Sequence, residues 1–279
     1  MSIKIVTDST ISIEPELIQE LDITVVPLNY MINGVIYTDG DLSLNEYLEK
    51  VESLAVLPKT SQPPVGVFDD LYHELTEDGS SVISIHLANS LSGTVESARQ
   101  GAAMSAGDVT VIDSEFTDQA LAFQVIEAAR LAKQEASKEE ILAAVQKMQR
   151  NTDLYCGVTT LENLIKGGRI GRVTGLIGGL LDLKVVLQMK DSALTTFMKG
   201  RGSKTFKKFI DEVSSNLSAS GRKIKEIGIS HAENLELAKT FKDILQRFVE
   251  KPITVLETNT IIATHTGRGA FAVMIAYDE

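Results

Sequence analysis

The sequence predicts an α/β protein with two lobes, an N-terminal lobe built on a mostly parallel sheet and a C-terminal α+β lobe built on a mixed sheet. In the first half, short segments rich in β-branched residues alternate with segments of helical length. Each strand segment runs directly into a cluster of Asp, Ser or Thr residues, which would line one edge of a sheet. In the second half, a paired hairpin and further strands accompany two long helices, which is typical of a mixed sheet.

The chain length allows one large domain or two ordinary ones, since it has 279 residues. We expect residues 1–152 to form the α/β domain and residues 153–279 to form the α+β domain. A small hairpin insertion is predicted near residues 28–38, because Asn33 and Gly34 lie between apolar arms. The sequence therefore predicts two domains joined near residue 152.

Composition limits the partners and the compartment. The net charge of −11 argues against nucleic acid, and against more than transient contact with an anionic membrane. A single cysteine, Cys156, cannot form an intrachain disulfide, which fits a reducing cytoplasm. Residues 3–7 already alternate like a strand, so no secretory signal is expected. The longest apolar stretch, residues 170–187, is interrupted by three charged residues and is not expected to span a membrane. We therefore predict a cytoplasmic protein.

In the N-terminal domain, strands are expected at residues 3–7, 23–27, 82–85 and 109–113. Helices are expected at residues 14–21, 43–52, 65–76, 95–104, 119–134 and 138–149, with Ser43 and Ser137 as N-caps. Three prolines between positions 58 and 64 forbid a helix there and favour extended backbone. Thr60 and Ser61 should therefore be held on a stiff segment.

In the C-terminal domain, strands are expected at residues 154–159, 185–190, 194–199, 226–230, 253–257 and 270–276. Helices are expected at residues 161–166, 203–215 and 233–248. Glycine-rich stretches at residues 167–172 and 175–179 separate the first helix from the hairpin. Residues 258–268 are predicted to form a polar loop.

The strand at residues 82–85 is followed by a hydroxyl-rich loop and a helix, and this segment is a candidate anion site. Ser92, Gly93 and Thr94 would meet the helix N-terminus, where free N–H groups and the helix dipole favour a carboxylate or phosphate. Alternatively, the hydroxyl of Ser92 or Thr94 only caps the helix. The sequence leaves both interpretations open.

His265 is a second candidate, since it lies between Thr264 and Thr266 in a predicted loop. An imidazole there could bind an anion or act as a base, or it could be an ordinary capping residue.

Cys156 lies inside an apolar strand and is predicted to belong to the core. Asp8 could be a catalytic carboxylate or part of a turn. The histidines show no ligand spacing, so no metal site is predicted.

The glycines at residues 167–172 match neither a phosphate-binding loop nor a dinucleotide-binding motif, so nucleotide binding by those devices is not expected. The segment from Lys166 to Lys208 contains ten basic and only two acidic residues. Such a segment on an acidic chain could dock an acidic or phosphate-bearing partner, or could be an ordinary solvated surface.

Five short motifs together resemble the DegV family of fatty-acid-binding proteins over essentially the whole chain. They are Thr-Asp-Ser-Thr at 7–10, Lys-Thr-Ser-Gln-Pro at 59–63, Ser-Leu-Ser-Gly-Thr at 90–94, Gly-Gly-Arg-Ile at 167–170 and His-Thr-Gly-Arg-Gly at 265–269. The resemblance implies a long-chain fatty acid bound between two lobes, with its tail in an apolar tunnel. It also implies that hydroxyls and a histidine hold the carboxylate, which here are Thr60, Ser92 and His265, with Ser61 and Thr264 as neighbours.

The same resemblance implies a ligand-binding protein and not an enzyme, with no cofactor. Such proteins present the fatty acid to a separate ATP-dependent fatty acid kinase, and the resulting acyl phosphate enters phospholipid synthesis. Within the basic segment, Arg169, Arg172 and Arg201 are the expected residues for kinase docking.

The chain departs from the family pattern at two places. Residues 117–120 (Thr-Asp-Gln-Ala) replace a serine followed by glycines, and Val185 stands where proline is typical after a lysine. Both places affect the expected shape of the tunnel more than the residues expected to hold the carboxylate headgroup.

The alternative function is an acyl hydrolase or transferase with Ser92 or Thr60 as nucleophile, His265 as base and Asp8 as its orienting group. A regulatory module without a ligand is a third hypothesis.

Overall fold

The computed structural model describes residues 2–54, 56–175, 183–190, 192–202 and 204–278. Strands in these residues are β1 (Ile3–Asp8), β2 (Ile23–Val26), β3 (Asn29–Ile32), β4 (Val35–Thr38), β5 (Lys59–Ser61), β6 (Ser81–His86), β7 (Val109–Asp113), β8 (Thr152–Val158), β9 (Val173–Thr174), β10 (Lys184–Lys190), β11 (Ala193–Gly200), β12 (Ile224–His231), β13 (Thr254–Glu257) and β14 (Phe271–Tyr277). Helices are α1 (Pro15–Glu20), α2 (Leu44–Glu52), α3 (Val65–Thr76), α4 (Thr94–Met104), α5 (Asp118–Lys133), α6 (Lys138–Arg150), α7 (Glu162–Lys166), α8 (Lys204–Ser220), α9 (Leu235–Leu245) and α10 (Thr260–Thr266).

The N-terminal lobe contains the predicted parallel sheet, with strand order β2-β1-β6-β7. Side chains alternate along β6, so Ile83 and Ile85 pack against α5 and α6. Val82 points to the opposite face and packs with Phe68 of α3 and Ala98 of α4. The sheet therefore carries helices on both faces, which is the doubly covered arrangement expected of parallel strands.

The predicted hairpin is formed by β3 and β4, and it is closed by a two-residue turn. Asn33 and Gly34 have φ angles of 49° and 83°, which only glycine and a few polar residues adopt readily. β5 adds to this hairpin as a third strand, in which Thr60 is paired with Tyr30. The extended segment predicted from the prolines is thus fixed in a small sheet, and this sheet positions Thr60.

The C-terminal lobe contains the predicted mixed sheet, whose seven strands have the order β13-β12-β14-β8-β10-β11-β9. Helices α8 and α9 cover one face, where Phe209 and Phe241 are almost fully buried. The opposite face packs partly against Phe123 of α5. Helix α5 also packs against the N-terminal sheet, so it contacts both sheets. Because this packing does not separate two domains, the domain boundary near residue 152 stays a prediction.

Two local predictions are wrong, and a third differs in position. Residues 258–268 are not a loop, because Asn259 caps helix α10 with its side-chain oxygen on the N–H of Ile262. Helix α4 begins at Thr94 with Gly93 as N-cap, and the hydroxyl of Ser92, one residue earlier, accepts the N–H of Thr94 at 3.4 Å. The helix predicted to reach residue 248 ends at Leu245 and is followed by a short 3-10 turn.

Two predictions fall partly outside the described residues. The glycine-rich stretch at 175–179 does so from residue 176 onward, and the helix predicted from residue 203 is described from Lys204. In the part of the chain that the structure describes, no helix is both long and apolar enough to cross a membrane.

Candidate ligand-binding site

A cavity of about 440 Å³ lies between the two lobes. Its floor is the face of the mixed sheet opposite α8 and α9, and the floor residues are Leu154, Cys156, Val158, Leu187, Met189, Leu194 and Ala272. Leu87 and Leu91, which follow β6, line it from the N-terminal lobe. Apolar side chains thus form most of the wall, as is usual for sites that bind small organic ligands.

Polar side chains gather at one end of the cavity, where α10 and β5 meet. The Oγ1 atom of Thr60 lies 2.9 Å from Nε2 of His265, so these two residues form a hydrogen bond across the site. Thr60, Ser61, Ser92 and His265 all line the cavity. The structure therefore brings together four of the five residues that were expected to bind the ligand.

The imidazole of His265 is neutral in this environment. Burial and the nearby positive charge of Arg169 lower its pKa to about 4. Its Nδ1 atom has no hydrogen-bond partner among the described residues. A Cβ atom at Gly167 would lie 2.4 Å from this Nδ1, so glycine is needed where the backbone passes the ring. His265 can therefore offer a hydrogen bond without carrying a buried charge.

The stability of the ligand-free protein should fall below neutral pH because of His265. The unfolded chain takes up a proton near the ordinary histidine pKa of 6.5, whereas the folded chain does so only near 4. This contribution is complete above about pH 6.5 and is lost progressively toward pH 4. Relative to His265→Gln, the wild type should lose about 2 kcal/mol of unfolding free energy between pH 7 and pH 5, measured by urea denaturation. Exposed His73, changed to Gln, is the control, and equal pH dependence of wild type and His265→Gln would contradict the prediction.

Ser92 and Gln62 both line the cavity, and Gln62 was not among the residues expected to bind the ligand. The Oγ atom of Ser92 lies 2.9 Å from Oγ1 of Thr94. Gln62 donates a 2.7 Å hydrogen bond from Nε2 to Oγ of Ser97 on α4. Gln62 therefore ties the strand that bears Thr60 to the helix that follows Ser92. Its place in the Lys-Thr-Ser-Gln-Pro motif was the only signal of this role.

Thr264 lies on the other side of α10 and does not line the cavity. Its hydroxyl donates to the carbonyl of Thr260 at 2.7 Å and lies 2.5 Å from the hydroxyl of Tyr47 on α2. The side-chain amide of Asn163 donates to the Thr264 carbonyl at 2.9 Å. These bonds hold α10 against α2 and α7, so Thr264 positions its neighbour His265.

The three arginines expected at a docking face occupy different places. Arg169 and Arg172 line the cavity, and Nη1 of Arg169 donates to the Gly167 carbonyl at 2.7 Å. Arg201 is exposed just after β11 and does not line the cavity. The basic segment therefore contributes both to the cavity and to the outer surface.

Asp118 and Cys156 also line the cavity. Asp118 is almost fully buried, and burial raises the pKa of its carboxyl. Cys156 is half-buried and faces the cavity, and burial with the Asp118 charge raises its pKa to about 12. Its thiol is therefore protonated and unsuited to act as a nucleophile.

The residues proposed for an acyl hydrolase are assembled only in part, because Thr60 contacts His265 whereas Asp8 does not. The Oδ2 atom of Asp8 lies 3.0 Å from Nδ1 of His86, in a fully buried network that excludes His265. Oγ1 of Thr10 donates to Asp8 at 2.6 Å. Since Asp8 bonds to His86 and Nδ1 of His265 has no partner among the described residues, His265 lacks an orienting carboxylate. Among the same residues, no three His, Cys, Asp or Glu side chains converge as metal ligands would.

Comparison with known families settles the family. A model described as an uncharacterised protein of the DegV family matches residues 2–278. The chain belongs to the DegV family. A DegV domain-containing protein, YejH of Lactococcus lactis, is 57% identical to it over 278 residues, which cover 100% of both chains.

Solved DegV-family structures share this fold. A DegV-family protein of Thermus thermophilus, described for its fatty acid binding, is 32% identical and superposes with a TM-score of 0.91 over 100% of both chains. DegV of Bacillus subtilis, a fatty acid binding protein, is 30% identical with a TM-score of 0.89, again over 100% of both chains. The predicted family and fold class are therefore confirmed.

Proposed function

We propose that this protein binds a long-chain fatty acid and presents it to a separate ATP-dependent fatty acid kinase. The observation that carries the proposal is the cavity, which combines an apolar wall with one polar end at Thr60 and His265. The fatty acid binding described for the two solved relatives supports the same ligand class. The acyl phosphate made by the kinase would enter phospholipid metabolism in the cytoplasm.

The polar end suits a carboxylate in particular. With its proton on Nε2, neutral His265 donates to Thr60, and the Thr60 hydroxyl proton is then available to the ligand. Ser92 and Ser61 supply further hydroxyls to the cavity. A buried carboxylate needs several donors, and these side chains supply them with Arg169 nearby.

Thr60→Val should weaken palmitate binding by about tenfold, because the change removes a hydrogen bond to a charged group while keeping the side-chain shape. The affinity for hexadecanol, which carries no charge, should change much less. Calorimetric titration of both ligands tests this, with Thr240→Val on α9 as the control. Unchanged palmitate affinity in Thr60→Val would place the carboxylate elsewhere.

Arg201 offers the cleanest test of kinase docking, because it is exposed and lies outside the cavity. Arg201→Glu should lower the rate of acyl phosphate formation by the kinase about tenfold while leaving palmitate affinity unchanged. Lys239→Glu on α9 is the matched charge reversal. If both variants support phosphorylation at the wild-type rate, the docking face does not include Arg201.

A further inference from the structure

Gln62 connects two segments of the cavity wall that belong to different parts of the fold. Thr60 lies on β5, which is an edge strand of the three-stranded sheet because it pairs only with β3 among the described strands. Ser92 lies in the loop that leads into α4. The side chain of Gln62 crosses from the first segment to the second and donates from Nε2 to Oγ of Ser97 at 2.7 Å. This hydrogen bond fixes β5 relative to α4.

The close fit of Gln62 against α4 depends on Gly93. A Cβ atom at position 93 would lie 2.2 Å from Oε1 of Gln62 and 2.9 Å from its Cδ. The backbone of Gly93 has a φ of −77° and a ψ of 10°, a conformation that is allowed to residues with a side chain. Glycine is therefore required here for the contact with Gln62 and not for the backbone conformation.

The segment that bears Thr60 is held from two sides. On one side, the Thr60 hydroxyl lies 2.9 Å from Nε2 of His265. On the other side, Gln62 contacts Ser97, which is buried on α4. Without the second contact, β5 would keep its pairing with β3 and its bond to His265. It would lose the contact that sets the distance of Thr60 from Ser92.

We propose that Gln62 is a positioning residue, which sets the distance between the hydroxyls of Thr60 and Ser92 so that both donate to one carboxylate. This proposal rests on the proposed function. A carboxylate presents two oxygens at a fixed distance, and hydrogen bonds to them weaken when one donor is displaced. An alcohol headgroup presents a single oxygen, which needs no such fixed pair of donors. Gln62 therefore acts on recognition of the carboxylate and not on burial of the acyl tail.

The test measures the binding of palmitate and of hexadecanol to the full chain by calorimetry. Gln62→Ala should lower palmitate affinity about fivefold and change hexadecanol affinity by less than about twofold, because the apolar wall is kept. Gln100→Ala is the matched control, since it removes the same side chain from the exposed surface of α4. It should bind both ligands as the wild type does.

Gly93→Ala tests the same contact independently. The added methyl group should displace the flexible side chain of Gln62 and lower palmitate affinity about as much as Gln62→Ala does. In Gln62→Ala/Gly93→Ala there is no long side chain to displace. Palmitate affinity of this double variant should therefore equal that of Gln62→Ala alone.

Three results would overturn the proposal while leaving fatty acid binding intact. Unchanged palmitate affinity in Gln62→Ala would show that Gln62 does not position the hydroxyls. Equal losses for palmitate and hexadecanol would show that Gln62 supports the fold or the tail instead. A double variant whose loss is the product of the two single losses would show that Gly93 and Gln62 act separately. A wild-type protein that fails to bind palmitate would instead contradict the proposed function.

Discussion

Palmitate should bind this protein on the order of a thousandfold more tightly than decanoate. Burial of one methylene contributes about 0.8 kcal/mol, so six fewer methylenes lose about 5 kcal/mol. The reason lies in the cavity floor, where Leu154, Leu187 and Met189 form an apolar surface on β8 and β10. Calorimetric titration with saturated acids of increasing length, at concentrations below micelle formation, measures the slope.

The chain-length series also distinguishes a buried tail from a bound headgroup alone. If the tail lies in the cavity, affinity rises about fourfold with each methylene until the cavity is full. The methyl ester of each acid is the matched ligand control, since it keeps the tail and loses the charge. Equal affinity for decanoate and palmitate would contradict a tunnel that buries the acyl chain.

Asp118→Ala should destabilise the folded protein by about 3 kcal/mol, because it leaves several buried donors without an acceptor. The Asp118 carboxylate accepts hydrogen bonds from the hydroxyls of Ser230 at 2.5 Å and Thr258 at 2.9 Å. It also accepts the N–H of Gln119 at 2.8 Å. These contacts join the start of α5 to the C-terminal sheet, so their loss should loosen the contact between the lobes. Urea denaturation measures the effect.

Asp118→Asn is the matched control. Asparagine keeps one acceptor oxygen, and it tolerates the φ of 60° at this position. It should therefore lose less than half of the free energy that alanine loses. If the alanine variant unfolds at the wild-type urea concentration, these hydrogen bonds do not hold the lobes together.

The fold was largely predictable from the sequence because its local signals agree with its packing. Ile83 and Ile85 form a buried strand as expected, and Asn33 with Gly34 forms the expected turn. Helix α10 was not predicted, because its residues are mainly threonine and β-branched isoleucine, which favour strands and loops. Its signal was Asn259 as N-cap and Gly267 after the last turn.

The candidate site was less predictable, because its contacts join residues far apart in the chain. Ser230 and Thr258, whose hydroxyls donate to Asp118, lie more than 100 residues away from it in the chain, so its local sequence indicates only the end of a loop. Thr264 and His265 are adjacent, yet helical geometry turns Thr264 toward Tyr47 and His265 toward Thr60. Identifying such side-chain directions required the structure.

The measurement that tests the central claim most directly is native mass spectrometry of the protein purified from cells, followed by organic extraction of whatever it carries. We predict one long-chain fatty acid per protein chain, and its mass would give the acyl length and unsaturation. A protein that is purified empty and also fails to take up added palmitate or oleate would contradict the account.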